Sequence, residues 1–174
     1  MHETSIMISI RPVWCQRITT RHKSVEVRKT KPRIKPPFRC YIYCTANQKG
    51  VYDLLEIHAT DGKIRKANSM VIGEFICDKI TSASVWKDDD GKCYVDNMHA
   101  LDGSLLDELD IIGYTGKEGG TVYGWHISNV LTYDHPLSLQ EFSVLRSTPE
   151  YSVRESLKRP PQSWCYVHLE DSNG

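Results

Sequence analysis

The stretch His22–Thr45, HKSVEVRKTKPRIKPPFRCYIYCT, decides the fold. It opens as an alternating strand, with Val25 and Val27 on one face and Ser24, Glu26 and Arg28 on the other. KPRIKPP follows, and its prolines remove backbone donors and fix φ, which excludes helix and central strand. This is an exposed connector. FRCYIYCT then resumes the alternation: Cys40, Ile42 and Cys44 face one way, Tyr41, Tyr43 and Thr45 the other. The order strand, connector, strand predicts a β-rich chain whose most basic segment lies beside its first strands.

Charge sharpens the point. The chain is neutral overall, with 22 Lys and Arg against 22 Asp and Glu. Between Arg11 and Arg39, however, there are ten cations and a single acid, Glu26. Arg11, Arg17, Arg21, Lys29, Lys31, Arg33 and Lys35 are the candidate phosphate contacts. Segregation of this kind points to an anionic partner on one face. The ordinary alternative is a solvated loop balanced by acids folded against it.

Upstream, IMISI reads as a short strand. RPVWCQRITTR reads as a helix, with Pro12 suited to its first turn and Trp14 and Ile18 on one face. Downstream, residues 46–69 are expected to form an insertion, partly helical, with TDGK as a turn. MVIGEFICDKITSASVW is a long strand in which Gly73 marks a bulge or a close backbone approach. KDDDGK is a turn without calcium-loop spacing. GSLLDELDIIGYTG reads as a short helix capped by Ser104, with Gly113 near its end. TVYGWHISNVLTY is the last strong strand, with Trp125 on its core face and His126 and Ser128 on the other. PLSLQEFSVL is a connector with a helical turn, RPPQSWCYV carries a short final strand, and residues 169–174 should fray. The tally is α+β: about six strands closing into a small mixed β-barrel, with two or three short helices, in one domain spanning 1–174.

Composition excludes several classes. No apolar run is long enough to span a membrane, and the N-terminal MHETSIMISIRP lacks a signal-peptide pattern, so the expectation is a cytoplasmic protein. The six cysteines include no C-x-x-C pair; they read as reduced, buried thiols, and no metal or other cofactor is expected. GYTGKEGG lacks the spacing of a phosphate loop.

The segments ISIRPVWCQRI, HKSVEVRK, CYIYCT, VIGEFICDKI and YGWHIS, in this order, resemble an ASCH domain, a family in the PUA-like group of small β-barrels. The ASCH signature is G-x-K-x-x-E-x-R at the start of a strand. Lys23, Glu26 and Arg28 hold its Lys, Glu and Arg places, and Arg21 stands where the signature has Gly. The strings VRKTKP, PFRCYIYCT and RPPQSWCYV resemble a subgroup common in bacterial and prophage genomes. The resemblance implies an RNA- or nucleotide-related role. One ASCH branch hydrolyses acetylated cytidine nucleosides with the motif lysine as a catalytic group and a threonine at the place held here by Glu26. Lys23 therefore carries over from that branch and the threonine does not.

The chemistry of the three residues fits a ligand rim. Glu26 and Arg28 are two apart on a strand, so they leave one face about 7 Å apart. Lys23 comes from the turn before. Lys23 and Arg28 would attract phosphate or polarise a carbonyl. Glu26, between cations, acts as a hydrogen-bond acceptor for a base amine rather than as a general acid. Further ligand-lining candidates are His22, Tyr43, His126, Ser128 and Trp164; the last has polar neighbours and suits base stacking. The first reading is a module binding RNA or a nucleotide. The second is an enzyme, an amidohydrolase on a modified nucleoside or a nuclease, with Lys23 and Glu26 catalytic. The third is a protein-interaction domain. Against all three stands a structural ion pair in which Glu26 only neutralises its neighbours.

Overall fold

The structure is a computed structural model and describes residues 4–46, 54–116, 119–147 and 151–170. Eleven strands and two helices are present among these residues: β1 (Ser5–Ile10), α1 (Pro12–Thr19), β2 (Val25–Arg28), β3 (Phe38–Cys44), β4 (Glu56–His58), β5 (Ile64–Lys66), β6 (Met70–Lys87), β7 (Cys93–Asp96), α2 (Glu108–Thr115), β8 (Gly120–Leu137), β9 (Phe142–Ser147), β10 (Ser152–Ser156) and β11 (Trp164–Leu169). Short 3-10 turns occupy Met98–Leu101 and Leu139–Glu141.

The hydrogen-bonded path of the main sheet runs β10-β9-β11-β1-β3-β6-β8-β2, with β7 paired to β6, and β4 with β5 forms a separate two-stranded sheet. Among the described residues that path has two ends, so the sheet is open and mostly antiparallel and the expected small barrel is not seen. The reason lies in two strands that the sequence pattern does not announce, one in the expected connector and one beyond it. FSVLRS is β9 and SVRES is β10, and they extend the sheet beyond β11 where no further strand was foreseen. The β1–β3 pairing is parallel, with Ile6 opposite Cys40 and Ile8 opposite Ile42.

The chain divides into two compact units. The first comprises Met1–Thr19, Arg39–Phe75 and Val130–Gly174. Its core packs Met7, Tyr41, Tyr43, Val71, Phe142, Leu157 and Val167. Tyr41 meets Phe142 edge-on at 4.8 Å between ring centroids. Glu74 of β6 accepts hydrogen bonds from Arg39 of β3 and Tyr133 of β8. Pro12 does open α1, whose buried residues are Pro12, Cys15 and Ile18. The described part of the 46–69 segment is a hairpin, β4–β5, turning through Ala59–Gly62 rather than a helix. Residues 47–53 of that segment, and 171–174 of the tail, lie outside the described residues.

The second unit comprises Thr20–Phe38 and Ile76–Asn129. Val27, Ala83, Val85, Leu101, Ile111 and Val122 form its core. Trp125 is fully buried and meets Phe38 edge-on at 5.7 Å, as its alternation with apolar neighbours predicts. The helix expected in GSLLDELDIIGYTG starts later than its first serine. Asp107 is the cap: its side chain accepts from the Asp110 amide, and the Asp110 carboxylate accepts from the Asp107 amide. Gly113 lies near the end of α2, as expected, and Gly116 closes it. No helix among the described residues is long and apolar enough to cross a membrane.

Candidate functional site

The geometry of β2 begins one turn upstream. Arg21, at the signature's glycine place, has φ 62°, the left-handed conformation that a glycine would adopt without strain. The tight turn is therefore kept, with arginine bearing the cost. Arg21→Gly is expected to stabilise the chain by about 0.5–1 kcal/mol, net of glycine's greater chain entropy, as read from the midpoint of urea unfolding; a loss of stability would show that the arginine side chain is itself needed.

The entry to β2 is held by a second loop. Gly103, at φ 90°, offers its carbonyl to the amides of Ser24 and Val25 at 3.0 and 3.2 Å. A Cβ at this glycine would collide with Ser24 Oγ. The neighbouring carbonyl of Ser104 accepts a hydrogen bond from Lys23 Nζ at 2.5 Å. Ser104 thus matters through its backbone rather than as a helix cap.

Lys23 Nζ also lies 3.6 Å from a Glu26 oxygen, and Arg28 Nη2 lies 2.9 Å from the other. The three side chains do converge, but on one another. Only 2%, 9% and 11% of the Lys23, Glu26 and Arg28 side chains reach solvent, so the ligand rim expected of them is largely closed to solvent at these atoms. Desolvation is the largest influence on Lys23 and lowers its pKa; the Glu26 carboxylate opposes the shift, and Arg28 adds to it.

That direction has a measurable consequence. The unfolded chain holds the Lys23 proton more tightly than the folded chain does. Stability from this residue therefore rises with pH between the folded pKa and the ordinary lysine value of 10.5. Comparing wild type with Lys23→Met between pH 8 and 10.5 should show the difference in unfolding free energy moving in favour of wild type. A pH-independent difference would contradict it. The comparison must be differential, because burial raises Cys77 to about 12 and Cys165 to about 11, and both weaken the fold in alkali.

The β2–β8 register sorts the remaining candidates. Glu26 is opposite Trp125 and Arg28 opposite Tyr123, whereas Val25 is opposite His126. Directly opposed residues share a face. His126 and Ser128 therefore lie on the face away from Glu26. His126 Nε2 sits 3.0 Å from Thr81 Oγ1, which itself donates to the Ala100 carbonyl. Burial lowers the His126 pKa. Ser128 Oγ donates to the Ile76 carbonyl at 3.2 Å. His22 is exposed beside Thr20, with Nδ1 2.9 Å from the hydroxyl. Tyr43 and Trp164 belong to the first unit: Tyr43 is in its core, and Trp164 on β11 meets Tyr166 edge-on at 5.6 Å.

The basic residues stay outside. Arg21, Lys29, Lys31, Arg33 and Lys35 are exposed in the second unit, and Arg11 and Arg17 are exposed in the first. Two lysines rest over rings: Lys29 Nζ lies 5.0 Å from the Tyr114 centroid and Lys31 Nζ 5.2 Å from that of Tyr123. Sequence reading did not single out these tyrosines. Their pairing with Lys29 and Lys31 joins residues far apart in the chain and is visible only in the fold.

No family model and no curated protein matches the chain. Solved structures do. Over 95% of this chain and 89% of the other, the protein is similar to a crystallised serine-to-alanine variant of the ASCH protein of Zymomonas mobilis, at 16% identity and a TM-score of 0.51. The fold is that of an ASCH domain. The unsubstituted Zymomonas mobilis ASCH protein aligns over 93% of this chain and 86% of its own at 18% identity, with a TM-score of 0.47. At these identities the likeness to ASCH structures concerns the backbone. The roles of Lys23, Glu26 and Arg28 rest on their own geometry.

Proposed function

We propose that this ASCH-fold chain is an RNA- or nucleotide-binding module. Its ligand is drawn to the exposed cations that follow Arg28 and is met beside the Lys23–Glu26–Arg28 cluster. One observation carries the reading. The only acid of the segment, Glu26, is buried against Lys23 and Arg28, while Lys29, Lys31 and Lys35 are exposed and no acid stands between them in the chain. Glu26 offsets one of the two buried cations, and the exposed lysines present positive charge to a polyanion. Arg28, the most exposed member of the cluster, is the point at which the ligand meets it. A reducing compartment such as the cytoplasm suits the free thiols, of which four are buried. An origin in the bacterial or prophage subgroup rests on the strings VRKTKP and RPPQSWCYV.

The test is a titration with labelled single-stranded RNA and with duplex DNA at two salt concentrations. Binding should weaken with salt, and each of Lys29, Lys31, Arg33 and Lys35 changed to alanine should lower the logarithmic salt slope by about 0.7. No binding at low salt, or a slope unmoved by all four substitutions, would defeat the proposal.

The burial of Lys23 favours a second reading. An amine with a lowered pKa, 3.6 Å from a carboxylate, has the character of a base or nucleophile. The activity would be amide hydrolysis on an acetylated cytidine-type nucleoside. Acetate release that disappears in Lys23→Ala, in a protein that still folds, would establish it; no release from wild type would remove it.

A further inference from the structure

We infer that Tyr114 and Tyr123, each covered by a lysine of the basic segment, form a base-stacking surface for single-stranded RNA. The inference rests on the reading of the basic segment as a nucleic-acid contact and assigns it a strand type and two recognition residues.

Both rings belong to the unit that carries the motif. Tyr114 is in the last turn of α2 and is 39% exposed. Tyr123 is half-buried on β8, directly opposite Arg28 on β2. Lys29 and Lys31 leave the end of β2 and place their ammonium groups over these rings. A cation over an exposed ring is a weak contact, and stacking of a base on the same ring is stronger. An arriving base therefore replaces the ammonium on the ring, and the freed lysine takes up the phosphate of the same or the next nucleotide. Ring and cation act together on a ligand that has both a flat face and a phosphate. A duplex hides its base faces, so the surface selects a single strand. Arg33 and Lys35 continue the positive charge along the connector.

The other exposed aromatic pair of this unit makes a useful contrast. Trp86 and Tyr94 stack on each other at 4.7 Å. Tyr94 Oη donates to Asp88, and Asp89 and Asp90 complete the turn beside them. Lys92 Nζ also lies 5.0 Å from the Tyr94 centroid, but the three neighbouring carboxylates of Asp88, Asp89 and Asp90 oppose phosphate there, as no acid does between Lys29 and Lys35 in the chain.

The experiment compares fluorescence anisotropy of a short labelled oligouridine, an abasic oligomer with the same phosphates, and a duplex of equal length. Tyr114→Ala/Tyr123→Ala should lose about tenfold or more in affinity for oligouridine with its salt slope unchanged. Tyr114→Phe/Tyr123→Phe should bind like wild type. Lys29→Ala/Lys31→Ala should lower the slope by about 1.4. The abasic oligomer should bind weakly and equally to wild type and the alanine pair. If wild type binds oligouridine and the alanine pair binds as well, or if duplex binds as tightly, the stacking surface is refuted while the basic-segment reading survives. If wild type binds no RNA at low salt, that underlying reading fails and takes this inference with it. Circular dichroism of each variant confirms that the comparison is between folded proteins.

Discussion

Glu26→Ala should cost about 3–5 kcal/mol of stability, seen as a large drop in the midpoint of urea unfolding followed by tryptophan fluorescence. The substitution removes the carboxylate that lies 2.9 Å from Arg28 and 3.6 Å from Lys23. Two cations with side chains no more than 11% exposed then face each other without their shared anion. Desolvation of both charges remains and the attraction that offset it is gone. A surface ion pair would lose no more than about 1 kcal/mol in the same experiment, and a loss that small would mean the cluster is solvated in solution.

A triple replacement, Lys23→Met with Glu26→Leu and Arg28→Met, separates architecture from recognition. Removing all three charges together removes the desolvation cost as well, so most of the stability lost in Glu26→Ala should return. RNA affinity is then the informative number. If the cluster meets the ligand at Arg28, the triple variant should lose more affinity than the removal of one phosphate contact explains, with the salt slope falling by about 0.7. Wild-type affinity in the stable triple variant would reduce Lys23, Glu26 and Arg28 to a structural ion cluster.

Local alternation was legible. Val25 and Val27 face the core and Glu26 and Arg28 the opposite side, as the two-residue period required. Trp125 was legible as core for the same reason. Burial of the polar face was not. Period two reports which residues share a side, but not that something covers it, and here the strand is buried on both faces. The loop that receives Lys23 was equally hidden: Ser104 is 81 positions away in the chain, and its part is played by a backbone carbonyl, which leaves no residue-type signature. Arg21 shows the converse. The sequence departs from the signature glycine, yet the left-handed turn persists at Arg21, so a residue-type motif can lose its glycine without losing its backbone geometry. The sheet is longer than the sequence pattern suggests, and the reason is one of counting. SVRES, all of it exposed, carries no apolar alternation, so nothing in it announced a strand; it is fixed by pairing with β9.

Gly73→Ala is the second large effect, expected at about 3 kcal/mol, the upper end of the range for overpacking a closed interior. Glycine in the middle of a long strand signals a bulge or a close backbone approach, and the approach is what is found. A Cβ on Gly73 would collide with the carbonyl oxygen of Leu131 and stand 3.1 Å from Thr132 Cα. Both obstacles are main chain of β8, so no side-chain rotation relieves them. One strand must shift against the other. Glu74 is the next residue, and its contacts with Arg39 and Tyr133 depend on the same separation of strands. The loss should therefore exceed that of Gly62→Ala, where a Cβ meets nothing within 4 Å and only the positive φ resists. Urea unfolding of the two variants side by side makes the measurement. Equal losses would show that backbone conformation, rather than the contact with β8, is what glycine supplies at position 73.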